Sequence, residues 1–178
     1  MIEFILHAYS LPPIAEVRFT ADYFNKYPQQ VRTGKDAALF YSRQPGYYAV
    51  HYKQPNTTAS QAVLVLNEGK IAVFSGEPEA AITDLLSPVY RMPGGLLAVP
   101  TGLVFIRFAE NVEVESQQAA IHQAGYEIAE SLAYAPHAAW LRAKSGEIDA
   151  ALTGISQLAA LPNVENVEPQ MLMERSLR

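Results

Sequence analysis

From Leu103 onward the hydrophobic period switches repeatedly between strand and helix spacing, and the order of those switches limits the folds open to the chain. Leu103-Val-Phe-Ile-Arg-Phe108 reads as a strand. Val114–Ala124 reads as a helix with Val114, Ala120, Ile121 and Ala124 inward, and Gly125 stands where a helix stop favours a left-handed residue. Tyr126–Leu132 alternates, a Tyr134-Ala-Pro136 turn follows, and His137–Arg142 is again extended. Across Glu147–Leu161, Ile148, Ala151, Leu152, Ile155, Leu158 and Ala159 fall on one helical face, and Pro162 ends it. Val164–Met173 is a last extended run. The order strand, helix, strand, strand, helix, strand closes most simply as a ferredoxin-like βαββαβ sandwich, an antiparallel four-stranded sheet with both helices on one face. Its strands are expected at about 103–109, 126–133, 137–143 and 164–172.

Before residue 100 the texture differs. Eight of the ten tyrosines lie there, and short β-type runs dominate: Ala37–Tyr41, Tyr47–Tyr52, Ala62–Leu66 and Ile71–Phe74. Asn67-Glu-Gly-Lys70 joins the last two as a hairpin turn, with Gly69 free to take positive φ. A short helix is expected at Glu79–Leu86 after Pro78, then a strand at Val89–Met92. The segment Arg91–Gly102 holds two prolines and three glycines and reads as a linker near 93–102. The expected fold class is therefore α+β: a smaller mainly-β domain over residues 1–95, then the βαββαβ domain over 101–178. Residues 1–30 are the least legible, with an apolar run at 2–9, Leu11-Pro-Pro13, and an Arg18–Phe24 segment of either type.

Several function classes recede on composition. The chain has no cysteine, which removes disulfides, thiolate zinc sites and cysteine nucleophiles. Residues 1–100 carry eight Lys/Arg and eight Asp/Glu, whereas residues 101–178 carry five and ten, so the net charge of −5 belongs to the C-terminal part. That distribution disfavours nucleic acid and favours a partner with positive potential, unless it is only a solvated acidic surface. The N-terminal run carries Glu3 and His7 without a basic start, so it fails as a secretory signal, and no stretch reaches the length of a membrane span. A cytoplasmic protein without membrane contact is expected.

No catalytic constellation stands out. His7, His51, His122 and His137 have no partner at metal-ligand spacing, so no metal or cofactor is expected, and no serine sits in a nucleophile-elbow context. Gly94, Gly95 and Gly102 lack the Lys-Ser/Thr of a phosphate loop. Tyr41, Tyr47, Tyr48 and Tyr52 could form a stacking platform or simply alternate in a β core. An enzyme is not expected.

The residues also carry a resemblance. Phe105-Ile-Arg-Phe108, Ala124-Gly-Tyr-Glu-Ile128, Tyr134-Ala-Pro-His-Ala-Ala-Trp-Leu-Arg142 and the closing run Leu158-Ala-Ala-Leu-Pro-Asn-Val-Glu-Asn-Val-Glu-Pro-Gln170 together resemble the propeptide of subtilisin-type serine proteases. The match covers about residues 101–173, and residues 85–102 resemble, more weakly, the join between prodomain segments in long precursors. His137 stands where the family often has Asn, and Gln170 where an Asn or Asp usually follows the proline. The catalytic Asp, His and Ser motifs of the protease are absent from this sequence.

The resemblance implies a stand-alone inhibitor or folding chaperone of a subtilisin-type protease, docking by its open sheet face and a product-like tail. It makes Glu168, Gln170, Glu174, Arg175, Ser176, Leu177 and Arg178 the candidate protease-binding residues, with Glu168 facing the N-terminus of a protease helix. Period-two alternation puts Glu165 on the opposite side from Glu168. The sequence supports a covered second face independently: Leu103 and Phe105 point away from Val104, Ile106 and Phe108, leaving Arg107 as the only obviously polar residue of that strand. Either the N-terminal domain or another protein would cover it. The alternative function is a ferredoxin-like regulatory or ligand-binding module with no protease target.

Overall fold

The computed structural model describes residues 22–34, 39–56 and 58–174. Among these residues nine strands and three short α-helices follow one another: β1 Gln30–Thr33, β2 Leu39–His51, β3 Leu64–Leu66, β4 Ile71–Ser75, β5 Leu85–Arg91, β6 Leu97–Phe108, α1 Gln118–Gln123, β7 Tyr126–Ser131, β8 Ala138–Ala143, α2 Ile148–Thr153, α3 Ile155–Ala159 and β9 Val164–Met173. All the strands join one antiparallel sheet in the order β3-β4-β2-β5-β6-β8-β7, with β1 added to β2 and β9 to β6. The protein is α+β, mostly antiparallel sheet with few helices. No helix among the described residues is long and apolar enough to cross a membrane.

In the C-terminal half the strands lie in the order β9, β6, β8, β7, and the helices fill the connections from β6 to β7 and from β8 to β9. Val104, Ile106 and Phe108 of β6, Leu141 of β8 and Val167 of β9 share a buried core with Ile121 of α1, Leu152 of α2 and Leu158 of α3. Removing these side chains from water is the main stabilising term, about 1.5–3 kcal/mol for each large one. Gly125 takes φ +93 just past α1, as the helix stop requires.

The long helix expected at 147–161 is two. Tyr126 is fully buried, and its hydroxyl donates to the Ala151 carbonyl at 2.6 Å. A Cβ on Gly154 would lie 2.5 Å from that hydroxyl, so only glycine fits where the ring enters, and the helix breaks there.

The expected linker is also different. Met92–Leu96 is a hairpin turn, with Gly95 N–H donating to the Met92 carbonyl at 2.8 Å, and residues 97–102 are already strand. β6 pairs with β5 through Leu97 and Ala98 and with β8 through residues 103–107, while β9 accompanies it on both sides of a register shift between Pro100 and Val104. Gly102 takes φ +90 in that bulge, and a Cβ there would lie 3.3 Å from Ile148 Cγ1, so the glycine bends a strand instead of loosening a linker. The sheet is therefore continuous across the expected boundary.

In the N-terminal half, Ala37–Tyr41 and Tyr47–Tyr52 were expected as separate runs. The described part is a single thirteen-residue strand, bulged between Arg43 and Tyr48, where Gly46 takes φ +83. The β3–β4 hairpin forms with Gly69 at φ +88. The helix expected at Glu79–Leu86 does not form: Leu85 and Leu86 pair with His51 and Val50 as the start of β5. A helix this short is marginal without a packed face, so the pairing of its last two residues with β2 decides against it. Pro88 is tolerated in β5 because β6 pairs with that strand only through Tyr90 and Arg91. A second core, with Ala49, Val73, Val89 and Val99, lies on the sheet face opposite Tyr48 and Val50.

Candidate functional site

The helices cover one face of β9-β6-β8-β7; the register builds the other. Directly opposed residues on antiparallel strands share a face, so Glu168, Phe105, Trp140 and Glu130 form one row across four strands. Leu103, Arg142 and Glu127 form a second row, and Asn166, Arg107 and Ala138 a third. The Phe105 and Trp140 rings meet edge-on with centroids 5.3 Å apart, an arrangement the ring quadrupoles favour. Both are half-buried, and neither belongs to the two buried core clusters. An aromatic pair therefore sits at the centre of the face, with charge around it.

The surrounding charges are mutually arranged. Arg142 and Glu127 pair at 2.5 Å, and Arg107 and Glu165 at 3.5 Å. The Asn166 amide donates to Glu168 Oε1 at 3.0 Å, stiffening that carboxylate without neutralising it. Exposed pairs of this kind contribute at most about 1 kcal/mol each, so they add little to the stability of the sheet. Glu165 corrects the alternation argument. A register shift between Arg107 and Phe108 makes it a bulge residue, which brings its carboxylate to Arg107 on the same side as Glu168.

The remaining expected residues fall along the same strand. Glu168 is exposed; its charge is the second cause, after burial, that raises the Tyr41 hydroxyl above its ordinary pKa. Gln170 is half-buried and engaged within the chain: its Oε1 accepts from the Thr101 hydroxyl at 2.7 Å, and Thr101 Oγ1 accepts from the Leu103 N–H at 3.2 Å. The side chain of Gln170 thus holds the β6 bulge. Glu174 is exposed and lines a cavity with Tyr47, Leu64 and Arg91, whose buried Nε has no hydrogen-bond partner among the described residues. Arg175, Ser176, Leu177 and Arg178 lie outside the described residues, as does His7.

The other histidines and the tyrosines are dispersed. His51 Nε2 lies 2.8 Å from the fully buried Ser87 hydroxyl, and burial lowers its pKa to about 4. Ser87 has no exposed surface from which to act as a nucleophile. His122 is exposed on α1, and His137 lies just before β8 with its carbonyl accepting from Phe108. Tyr41 and Tyr48 are buried in different places, and Tyr47 packs against the second core, so the four tyrosines make no common platform.

The centre of the face, Phe105 with Trp140, was not singled out as a site from the sequence. Period-two alternation gives the side of each ring, but opposition needs the register. No protein-family model, curated protein or solved structure matches this chain.

Proposed function

We propose that this chain is a propeptide-like inhibitor or folding chaperone of a subtilisin-type serine protease. In this reading residues 101–173 form a ferredoxin-like sandwich that docks by the face opposite its helices, and β9 leads the tail toward the protease cleft. The carrying observation is the half-exposed Phe105–Trp140 pair, set between Glu168 and Glu130 on a sheet face that the chain's own helices leave uncovered. An apolar centre within a charged rim is the composition of a protein-binding patch. The strand order β9, β6, β8, β7 with helices in both crossovers supports the sandwich, and the sequence resemblance supports the kind of partner.

The test is inhibition of a purified subtilisin by the purified full chain, followed by hydrolysis of a chromogenic peptide. Saturable inhibition by the full chain is expected. A chain ending at Glu174 should keep its melting temperature and lose most of the inhibition, because the tail adds main-chain hydrogen bonds in the cleft. No inhibition by the full chain at ~10 μM, above the affinity expected of a standard-size interface, would overturn the proposal. Equal inhibition by the shortened chain would remove the tail from the mechanism.

A further inference from the structure

A second surface lies away from that face. Tyr48 of β2 stands opposite Phe74 of β4, and their rings stack with centroids 5.5 Å apart and planes 21° from parallel. Val50 shares their side of the sheet, and Tyr52 follows the end of β2. The segment from β4 to β5 crosses above, bringing Glu79 and Asp84 to the rim of a cavity of about 340 Å³ lined by these rings. The Tyr48 hydroxyl feels the arrangement: burial, then the Glu79 charge, then Tyr52 raise its pKa.

The electrostatics of this cleft have one sign. Ring faces carry the negative end of the aromatic quadrupole, and two carboxylates add full charges. Among the described residues no Lys or Arg lines the cavity, and neither Glu79 nor Asp84 has an ion pair. Half-buried Ile82, above the buried Val50 of the floor, supplies apolar wall for an alkyl stem. The volume is at the small end for ligand sites, large enough for one long side chain.

We infer that the Tyr48–Tyr52–Phe74 cleft binds a lysine or arginine side chain presented by a protein partner. The ammonium or guanidinium sits against the half-buried Tyr52 and Phe74 rings and between the carboxylates, and its stem packs along Ile82. The cleft is built from β2, β4 and the connection to β5, none of which contributes to the rows of the protease-facing surface, so it serves a separate contact.

The probe is acetyl-Gly-Lys-Gly-amide, titrated against the full chain while the side-chain NMR signals of Tyr48 and Phe74 are followed. Saturable shifts with a Kd in the millimolar range are expected. The norleucine peptide, isosteric but neutral, should bind at least tenfold more weakly. The double variant Glu79→Gln, Asp84→Asn should lose binding by a similar factor at unchanged melting temperature and with unchanged inhibition of a subtilisin, which separates this site from the proposed function. Norleucine binding as tight as lysine, variant binding equal to wild type, or n-butylammonium binding as tight as the peptide would each overturn the assignment to a partner's basic side chain.

Discussion

The Tyr126 hydroxyl reaches 2.6 Å from the Ala151 carbonyl and fills the space a side chain on Gly154 would need, so one ring both caps and divides the second helical segment. Gly154→Ala gains about 1 kcal/mol in helix propensity but forces a methyl against the ring, an overpacking cost of ~1–3 kcal/mol. Net destabilisation is expected in denaturant unfolding. Tyr126→Phe should cost ~0.5–1.5 kcal/mol for the lost hydrogen bond, and the two changes should not add, because removing the hydroxyl relieves part of the overlap. Strict additivity would show that the ring and the break are unrelated.

His51 makes stability depend on pH. Its folded-state pKa is lowered to about 4 by burial, against an ordinary 6.5, so between these values the unfolded chain holds a proton that the native protein lacks. The contribution of neutral His51 is thus complete above pH 6.5 and lost as pH falls from 6.5 toward 4, by at most on the order of 3 kcal/mol. Urea unfolding of wild type and His51→Gln across that window checks this. The variant should show a flatter slope, and identical slopes would assign the acid sensitivity to other groups.

The aromatic pair should matter to binding more than to folding. Phe105→Ala and Trp140→Ala remove half-exposed rings outside both cores, so each is expected to cost less stability than Val104→Ala, which opens the fully buried core. In the proposed docking they are anchors at the centre of the contact, so each substitution should weaken inhibition of a subtilisin by tenfold or more. Loss of stability matching that of Val104→Ala, with unchanged inhibition, would make the pair structural.

The contrast between the halves explains what the sequence made legible. In Ala138–Ala143 the local period agrees with the final pairing throughout, and Tyr126–Ser131 and Val164–Met173 keep it on either side of their register shifts, so the segments could be read directly. The errors gather where a residue's local meaning is overridden by a distant partner. Gly102 looks like linker until Ile148 is seen against it; Leu85 and Leu86 look helical until His51 and Val50 pair with them. The candidate site followed the same rule. Glu168 could be placed from its strand, whereas Glu165 needed knowledge of a bulge and the Phe105–Trp140 contact needed the register between β6 and β8. Alternation carries direction but not insertions, so parity is lost at each bulge.

Glu165 and Glu168 now share a side, and their different partners separate their roles. Glu165 is already compensated by Arg107 at 3.5 Å, whereas among the described residues Glu168 is held by the neutral Asn166 amide and has no ion pair. A carboxylate aimed at a helix N-terminus contributes ~0.3–2 kcal/mol, so in the proposed docking Glu168→Arg should weaken inhibition severalfold to about a hundredfold once the reversed charge is counted. Glu165→Gln only frees Arg107 and should change inhibition little. The two variants should retain wild-type melting temperatures, since both side chains are exposed. Inhibition constants measured at low and high salt complete the test: the gap between wild type and Glu168→Arg should narrow as salt screens the interaction. Equal constants for the two at low salt would make Glu168 a merely solvated residue and leave the aromatic pair as the basis of docking.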